Sequence, residues 1–138
     1  MGRGNYVGIK LKTIGVVRTN AEDVPRHWSI SDVEGTLDID AEYAEGLRDI
    51  EPGQRIVVLF HFDRSPAFTR NEHVQTSGDT KKETGVFSTC SPVRPNPIGL
   101  SVVKVLAIRD TCIVLRGLDM LDGTPILDIK PHIEVTVG

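Results

Sequence analysis

The sequence predicts an all-β fold: a small six- to seven-stranded barrel with long loops and at most a short helix. Three observations carry that prediction. Ile56–Phe62 (IVVLFHF) is an unbroken apolar run rich in β-branched and aromatic residues, a strand composition. Val33–Ile39 alternates, with Val33, Gly35, Leu37 and Ile39 on one phase and Glu34, Thr36 and Asp38 on the other, as a half-buried strand does. Further apolar runs recur between turn-forming residues, while only one segment has helical spacing. At 138 residues the chain has the size of one domain, and closing the sheet into a barrel leaves no free edges.

Taken in order, Val7–Arg18 alternates weakly, with Val7, Ile9 and Leu11 on one phase and Ile14 and Val16 on the other. This predicts a strand broken or bulged near Thr13–Gly15. Thr19–Ser31, with Pro25, Arg26, His27 and Trp28, reads as a loop, and Val33–Ile39 is the second strand. Glu42–Ile50 places Tyr43, Leu47 and Ile50 at helical spacing, weakened by Gly46, and supports only a short helix. Pro52-Gly53 is a turn before Ile56–Phe62, which reads as a central strand buried on both faces. Asp63–Thr84, with the charges Asp79, Lys81, Lys82 and Glu83, is a long polar loop. Gly85–Thr89, Ile98–Ile108, Cys112–Leu118, Ile126–Ile129 and Ile133–Val137 read as the remaining strand-like runs.

Composition excludes several classes of function. A net charge of −3 gives no global basic footprint, so a nucleic-acid partner needs a local patch. No apolar run reaches the length of a membrane span, and MGRGNYVGIKLK lacks the hydrophobic centre of a signal peptide, so the expected location is the cytoplasm. Cys90 and Cys112 match no zinc spacing, no histidine–carboxylate pattern resembles a metal site, and no metal is expected. Neither GxGxxG nor GxxxxGK[ST] occurs, which argues against a Rossmann-type nucleotide domain.

Two segments carry chemistry instead. Ser91-Pro92-Val93-Arg94-Pro95-Asn96-Pro97 has three prolines in six positions, which fix three φ angles and remove three donors. They also bias Ser91, Arg94 and Asn96 toward extended backbone. Such a connector presents Arg94 and Asn96 with little entropy left to lose. Arg94 then either meets a ligand carboxylate or phosphate, or pairs with Asp119 or Asp128. Cys90, just before the connector, is packing, a site lining or a nucleophile. The second segment, Leu118–His132, carries Asp119, Asp122 and Asp128, with Lys130 beside the last. Asp122-Gly123 is a turn dipeptide, and Gly123 permits positive φ and close backbone approach to a ligand. The plainer reading makes Asp119 a surface charge and Asp122 turn chemistry; the functional reading makes the segment a loop that offers backbone groups and one carboxylate to a small polar ligand. His61, ending the most hydrophobic run, is a core or rim residue or a candidate base. Together these residues favour a site for a small polar molecule without naming it.

Residues Gly85–Ser101, GVFSTCSPVRPNPIGLS, closely resemble the GVFATRSPxRPNPIGLS signature of the TsaA-like (TrmO) family. Leu118–His132 is similar to its second signature, LDLLDGTPVLDIKPY, and Ile14–Arg18 to its N-terminal IGVIRS strand. The resemblance covers residues 12 to 138. It implies a β-barrel S-adenosylmethionine-dependent methyltransferase, homodimeric, with the cofactor near the subunit interface. It also implies a tRNA substrate methylated at N6 of threonylcarbamoyl-adenosine beside the anticodon.

Carried over residue by residue, the resemblance implies cofactor contacts from Pro25, Arg26 and His27 (His where the family has Gln), and from His61 and Phe62. It implies the same for Leu100 and for Leu121, Asp122, Gly123 and Thr124. Cys90 stands where the family has an arginine and supplies no charged donor. Arg94, Asn96, Asp128 and Lys130 are motif residues with a structural part. The catalytic base is unassigned, with His61 and Asp122 as candidates. Bacterial members carry an additional C-terminal domain, whereas residues 1–138 read as a single barrel domain. A cofactor-binding or sensing module without tRNA methylation is the alternative.

Overall fold

The computed structural model describes residues 8–76 and 81–134; Val7, Asp79 and residues 135–137 of the last expected strand lie outside them. Among the described residues eight strands form: β1 (Gly15–Arg18), β2 (Glu34–Ile39), β3 (Arg55–His61), β4 (Val74–Thr76), β5 (Glu83–Gly85), β6 (Ile98–Arg109), β7 (Cys112–Arg116) and β8 (Pro125–Pro131). Six close an antiparallel barrel in the order β1-β2-β7-β6-β3-β8, and β4-β5 form a separate hairpin. The all-β barrel expected from the sequence is what the chain folds into.

Alternation decides which residues fill the barrel. In β3, Ile56, Val58 and Phe60 point inward and are buried, while Val57, Leu59 and His61 are half-buried on the outer face. The run is therefore not buried on both faces: a closed barrel gives each strand one interior phase, and the outer phase here is apolar as well. Val17, Leu37, Val103, Val105, Ile113, Leu115, Leu118 and Ile126 complete a contiguous core with the β3 residues. Burying side chains of this size contributes about 1.5–3 kcal/mol each before the entropy of ordering is subtracted.

Other elements depart from the sequence reading. The first strand is only Gly15–Arg18, and the helix expected at Glu42–Ile50 is a 3₁₀ segment, Ala41–Leu47, that tucks the buried Leu47 under the barrel. Gly85–Thr89 is not a strand: β5 ends at Gly85, and Val86–Ser88 make a 3₁₀ turn that buries Val86. The stretch expected as one long loop, Asp63–Thr84, contains β4 and pairs it with β5. Ile126–Ile129 extends into the seven-residue β8, while Ile133 and Glu134 are in no strand. The register that matters most sets Phe60 opposite Gly99, His61 opposite Ile98 and Leu59 opposite Leu100.

Candidate ligand pocket at one end of the barrel

Four segments far apart in sequence meet at the end of the barrel where β3 finishes and β6 begins. Val24–Trp28, Phe60–Pro66, Thr89–Leu100 and Asp119–Thr124 supply the walls of a cavity of about 760 Å³. That volume lies in the range of small-molecule sites.

The floor is aromatic. Phe60 and Phe62 meet edge to face, ring centroids 5.0 Å apart. They reach the strand because residue 99 has no side chain: a Cβ there would stand 2.3 Å from Cζ of Phe60 and 2.8 Å from Cζ of Phe62. Gly99 is the cradle that lets both rings lie against β6.

The proline connector forms one wall. Lacking three N–H groups, it is anchored through its carbonyls: Pro97 accepts from the Phe62 N–H (2.8 Å), Pro92 from the Ser65 hydroxyl (3.0 Å) and Val93 from the Gln75 amide (2.8 Å). Arg94 lines the pocket, but its Nη1 donates to the carbonyls of Thr89 (3.0 Å) and Ser91 (3.1 Å). The alternative of a pairing with Asp119 or Asp128 gives way to this clasp, which closes the backbone around Cys90. Cys90 is exposed and lines the cavity. Asn96 is exposed, outside the lining, and its carbonyl accepts from Ile98 N–H at 2.7 Å.

The opposite wall comes from the second sequence motif. Asp119, read from sequence as a surface charge, is instead part of the wall, and its carboxylate accepts a short hydrogen bond from the hydroxyl of Ser101. Ser101 is completely buried on β6. Burial pushes the Asp119 carboxyl above the ordinary aspartate value, and the Ser101 hydroxyl, His27 and the Trp28 backbone N–H oppose that rise. Leu121 and Thr124 also line the cavity.

Asp122 and Gly123 stand behind that wall. The Asp122 carboxylate accepts from the Thr19 N–H (3.0 Å) and so ties the loop to the end of β1. Its carbonyl accepts from the guanidinium of Arg64, which lines the pocket and packs over Gly123, where a Cβ would be 3.1 Å from Nη2. Gly123 has φ of 86°, the left-handed backbone its turn requires.

Pro25, Arg26, His27, His61, Phe62, Cys90, Leu100, Leu121 and Thr124 are therefore brought to one cavity. Asp128 and Lys130 are not: they pair with each other at 2.9 Å at the far end of the barrel. Sequence reasoning missed Asp119, Ser101, Trp28 and Arg64. The one signal available was Ser101 itself, a hydroxyl on the phase of β6 that faces inward.

Comparison with known proteins places this geometry in context. Residues 14–136 match the tRNA-methyltransferase O N-terminal domain family. An S-adenosyl-L-methionine-binding protein of Archaeoglobus fulgidus is 43% identical over 126 residues, 88% of each chain. The mouse tRNA (adenine(37)-N6)-methyltransferase is 41% identical over 87 residues, 63% of this chain but 20% of that one. The crystal structure of TrmO from P. aeruginosa superposes with a TM-score of 0.74 at 30% identity over 95% of this chain, which spans 57% of that protein.

Proposed function

The chain belongs to the tRNA-methyltransferase O N-terminal domain family, and from that premise we propose that its pocket binds S-adenosylmethionine and directs the methyl group to N6 of an adenosine in tRNA. The observation that carries this reading is convergence. The segments resembling the family's cofactor contacts lie apart in sequence, yet Pro25–His27, His61–Phe62, Cys90, Leu100, Leu121 and Thr124 line one cavity. The residues present fit such a ligand: an aromatic floor made possible by Gly99, guanidinium groups at Arg26 and Arg64, and one desolvated carboxylate.

When bound, the cofactor would supply a methyl group on a positively charged sulfur: the carbon–sulfur bond breaks as the acceptor nitrogen bonds to that carbon, the sulfur departs as a neutral thioether, and the nitrogen's proton passes to water. The chain's part is to position. Phe62, backed by the buried Phe60, offers apolar surface, the connector excludes water along one side, and the Leu121–Thr124 turn sets the opposite lip. In-line geometry is worth more to methyl transfer than acid–base chemistry. The acceptor is the threonylcarbamoyl-bearing adenosine beside the anticodon, a reading supported by the relatives named tRNA (adenine(37)-N6)-methyltransferase. Such a substrate puts the protein in the cytoplasm. Ile98 and Leu100, apolar and 42% and 52% exposed on the lip, support a homodimer in which a second copy covers the site.

A second reading, a cofactor-binding module without methyl transfer, is favoured by Cys90, whose thiol offers no guanidinium to the ligand. Isothermal calorimetry with S-adenosylmethionine, followed by transfer of a labelled methyl group to total tRNA, separates the two. Binding with transfer is the expected outcome. Binding without transfer establishes the module, and no binding overturns both.

A further inference from the structure

We propose that Asp119, held by the buried Ser101 hydroxyl, is the counter-ion for the positive sulfur of the cofactor and sets the pocket's preference for S-adenosylmethionine over the neutral S-adenosylhomocysteine. This rests on the cofactor reading above. Asp128 meets Lys130 at 2.9 Å, and Asp63 lies 3.9 Å from Arg64. Asp122 and Asp38 take neutral donors too, the Thr19 N–H and the Thr36 hydroxyl, but both stand exposed to solvent. Asp119 differs in where it sits: it lies in the cavity wall and is desolvated there, held by a serine hydroxyl and backbone N–H groups, with the His27 imidazole near enough to favour its charge. Neutral donors orient a carboxylate without cancelling it, and an anion in a partly dry wall attracts a cation from the ligand.

The kind of cation follows from what Asp119 leaves available. Its hydroxyl and N–H donors occupy acceptor sites on the carboxylate, and its neighbours on the wall, Met120, Leu121 and Trp28, are large and mostly apolar. An ammonium group has three N–H donors that each require an acceptor. A sulfonium has none; it needs only nearby negative charge and a polarizable surface, which a carboxylate beside an indole provides. Ser101 acts through Asp119 as a positioning residue: fully enclosed on β6, it fixes the carboxylate without reaching the ligand itself.

The test is calorimetric, with both ligands titrated into the wild type, Asp119→Asn and Ser101→Ala. Asparagine keeps the shape and can still accept from Ser101 but removes the charge. Affinity of Asp119→Asn for S-adenosylmethionine is expected to fall roughly 10- to 100-fold. Its affinity for S-adenosylhomocysteine should change by no more than about threefold, within the background of a surface change. Ser101→Ala should move the ratio of the two affinities in the same direction by less. Equal losses for both ligands in Asp119→Asn, or an unchanged ratio, overturn the proposal, because the carboxylate then serves a group common to both or only the fold. If Asp119→Asn does not fold, the ratio in Ser101→Ala decides alone. Wild-type protein that binds neither ligand overturns the cofactor reading itself, an outcome distinct from equal losses.

Discussion

The barrel has a hollow at each end, and the two differ in how they treat charge. The far hollow, about 840 Å³, is bounded by Tyr43, Ile50, Arg55, Asp128, Lys130 and His132 among others. There Asp128 and Lys130 satisfy each other, and Arg48 stands 3.9 Å from Asp49, all largely in solvent. The near hollow is of similar size, yet it is floored by two phenyl rings and holds a desolvated carboxylate on neutral donors. A single strand, β8, joins them: Thr124 just before it lines one end, and Asp128 and Lys130 within it reach the other. The two hollows match in size and differ in electrostatics, and only the near one has a desolvated carboxylate in its wall among the described residues.

The largest expected break in this contrast is at glycine. Gly99→Val forces Phe60 and Phe62 off β6 and should destabilise the protein by about 3 kcal/mol in urea denaturation, with loss of ligand binding. Gly46, in the 3₁₀ segment near the far hollow, has no atom within 4 Å of the place a Cβ would take. Gly46→Ala should raise stability by about 0.4–1 kcal/mol and leave binding unchanged. Similar effects at the two positions would dissolve the distinction between the ends.

Arg94→Lys comes next. Both carbonyls are held by one nitrogen, Nη1; lysine is shorter and its ammonium more strongly hydrated, so it reaches them less well and the denaturation midpoint should fall by the equivalent of about 1–2 kcal/mol. Ligand affinity should weaken with it, because the clasp shapes the wall at Cys90. A weaker ligand with an unmoved midpoint would instead place Arg94 on the ligand.

Asp119→Asn sharpens the comparison through pH. The folded carboxyl holds its proton above 3.8, the ordinary value, so in the window just above it the native state binds more protons than the unfolded chain. Stability from this group is complete below that window and is lost as pH rises through the folded value. The wild type should therefore lose stability relative to Asp119→Asn on going from pH 4 to 7, and parallel curves would contradict the desolvated carboxylate. The smallest effect is expected at the far end: Lys130→Met, removing an exposed ion pair, should cost under about 1 kcal/mol and leave ligand binding intact.

The strands were legible because their signal is local: period-two alternation in Val33–Ile39 and the run at Ile56–Phe62 need no partner to be read. The connector was legible for the same reason, since proline carries its constraint with it. What stayed hidden was long-range. Asp119 sits in a turn-like sequence beside Asp122, and nothing local separates them; only the closed barrel brings Ser101 to the first and the Thr19 N–H to the second. The clasp of Arg94 on main-chain carbonyls was equally invisible, because sequence suggests charged partners and not carbonyl ones. The apolar outer face of β3 misled the reading of burial, since hydrophobicity on both phases implies two packed faces unless the sheet is known to close.

The closure itself has a kinetic meaning. β3 and β6 are in register over seven residues, whereas β1 and β8 share only the pairs Gly15–Ile126 and Val16–Pro125. Beyond them the seam has the bond from Ile14 N–H to Ile126 on one side and, toward the pocket, those from Val17 N–H to Thr124 and from Gly123 N–H to Val17, at 2.9 and 2.8 Å. A short zipper opens at lower free energy than a long one, so breathing of the cylinder begins here, and deuterium should enter Val17 and Gly123 before the amides of β3. Those same bonds hold the turn that forms the pocket's lip. A molecule seated against Leu121 and Thr124 fastens the zipper, and its residence time is tied to how often the cylinder unlatches.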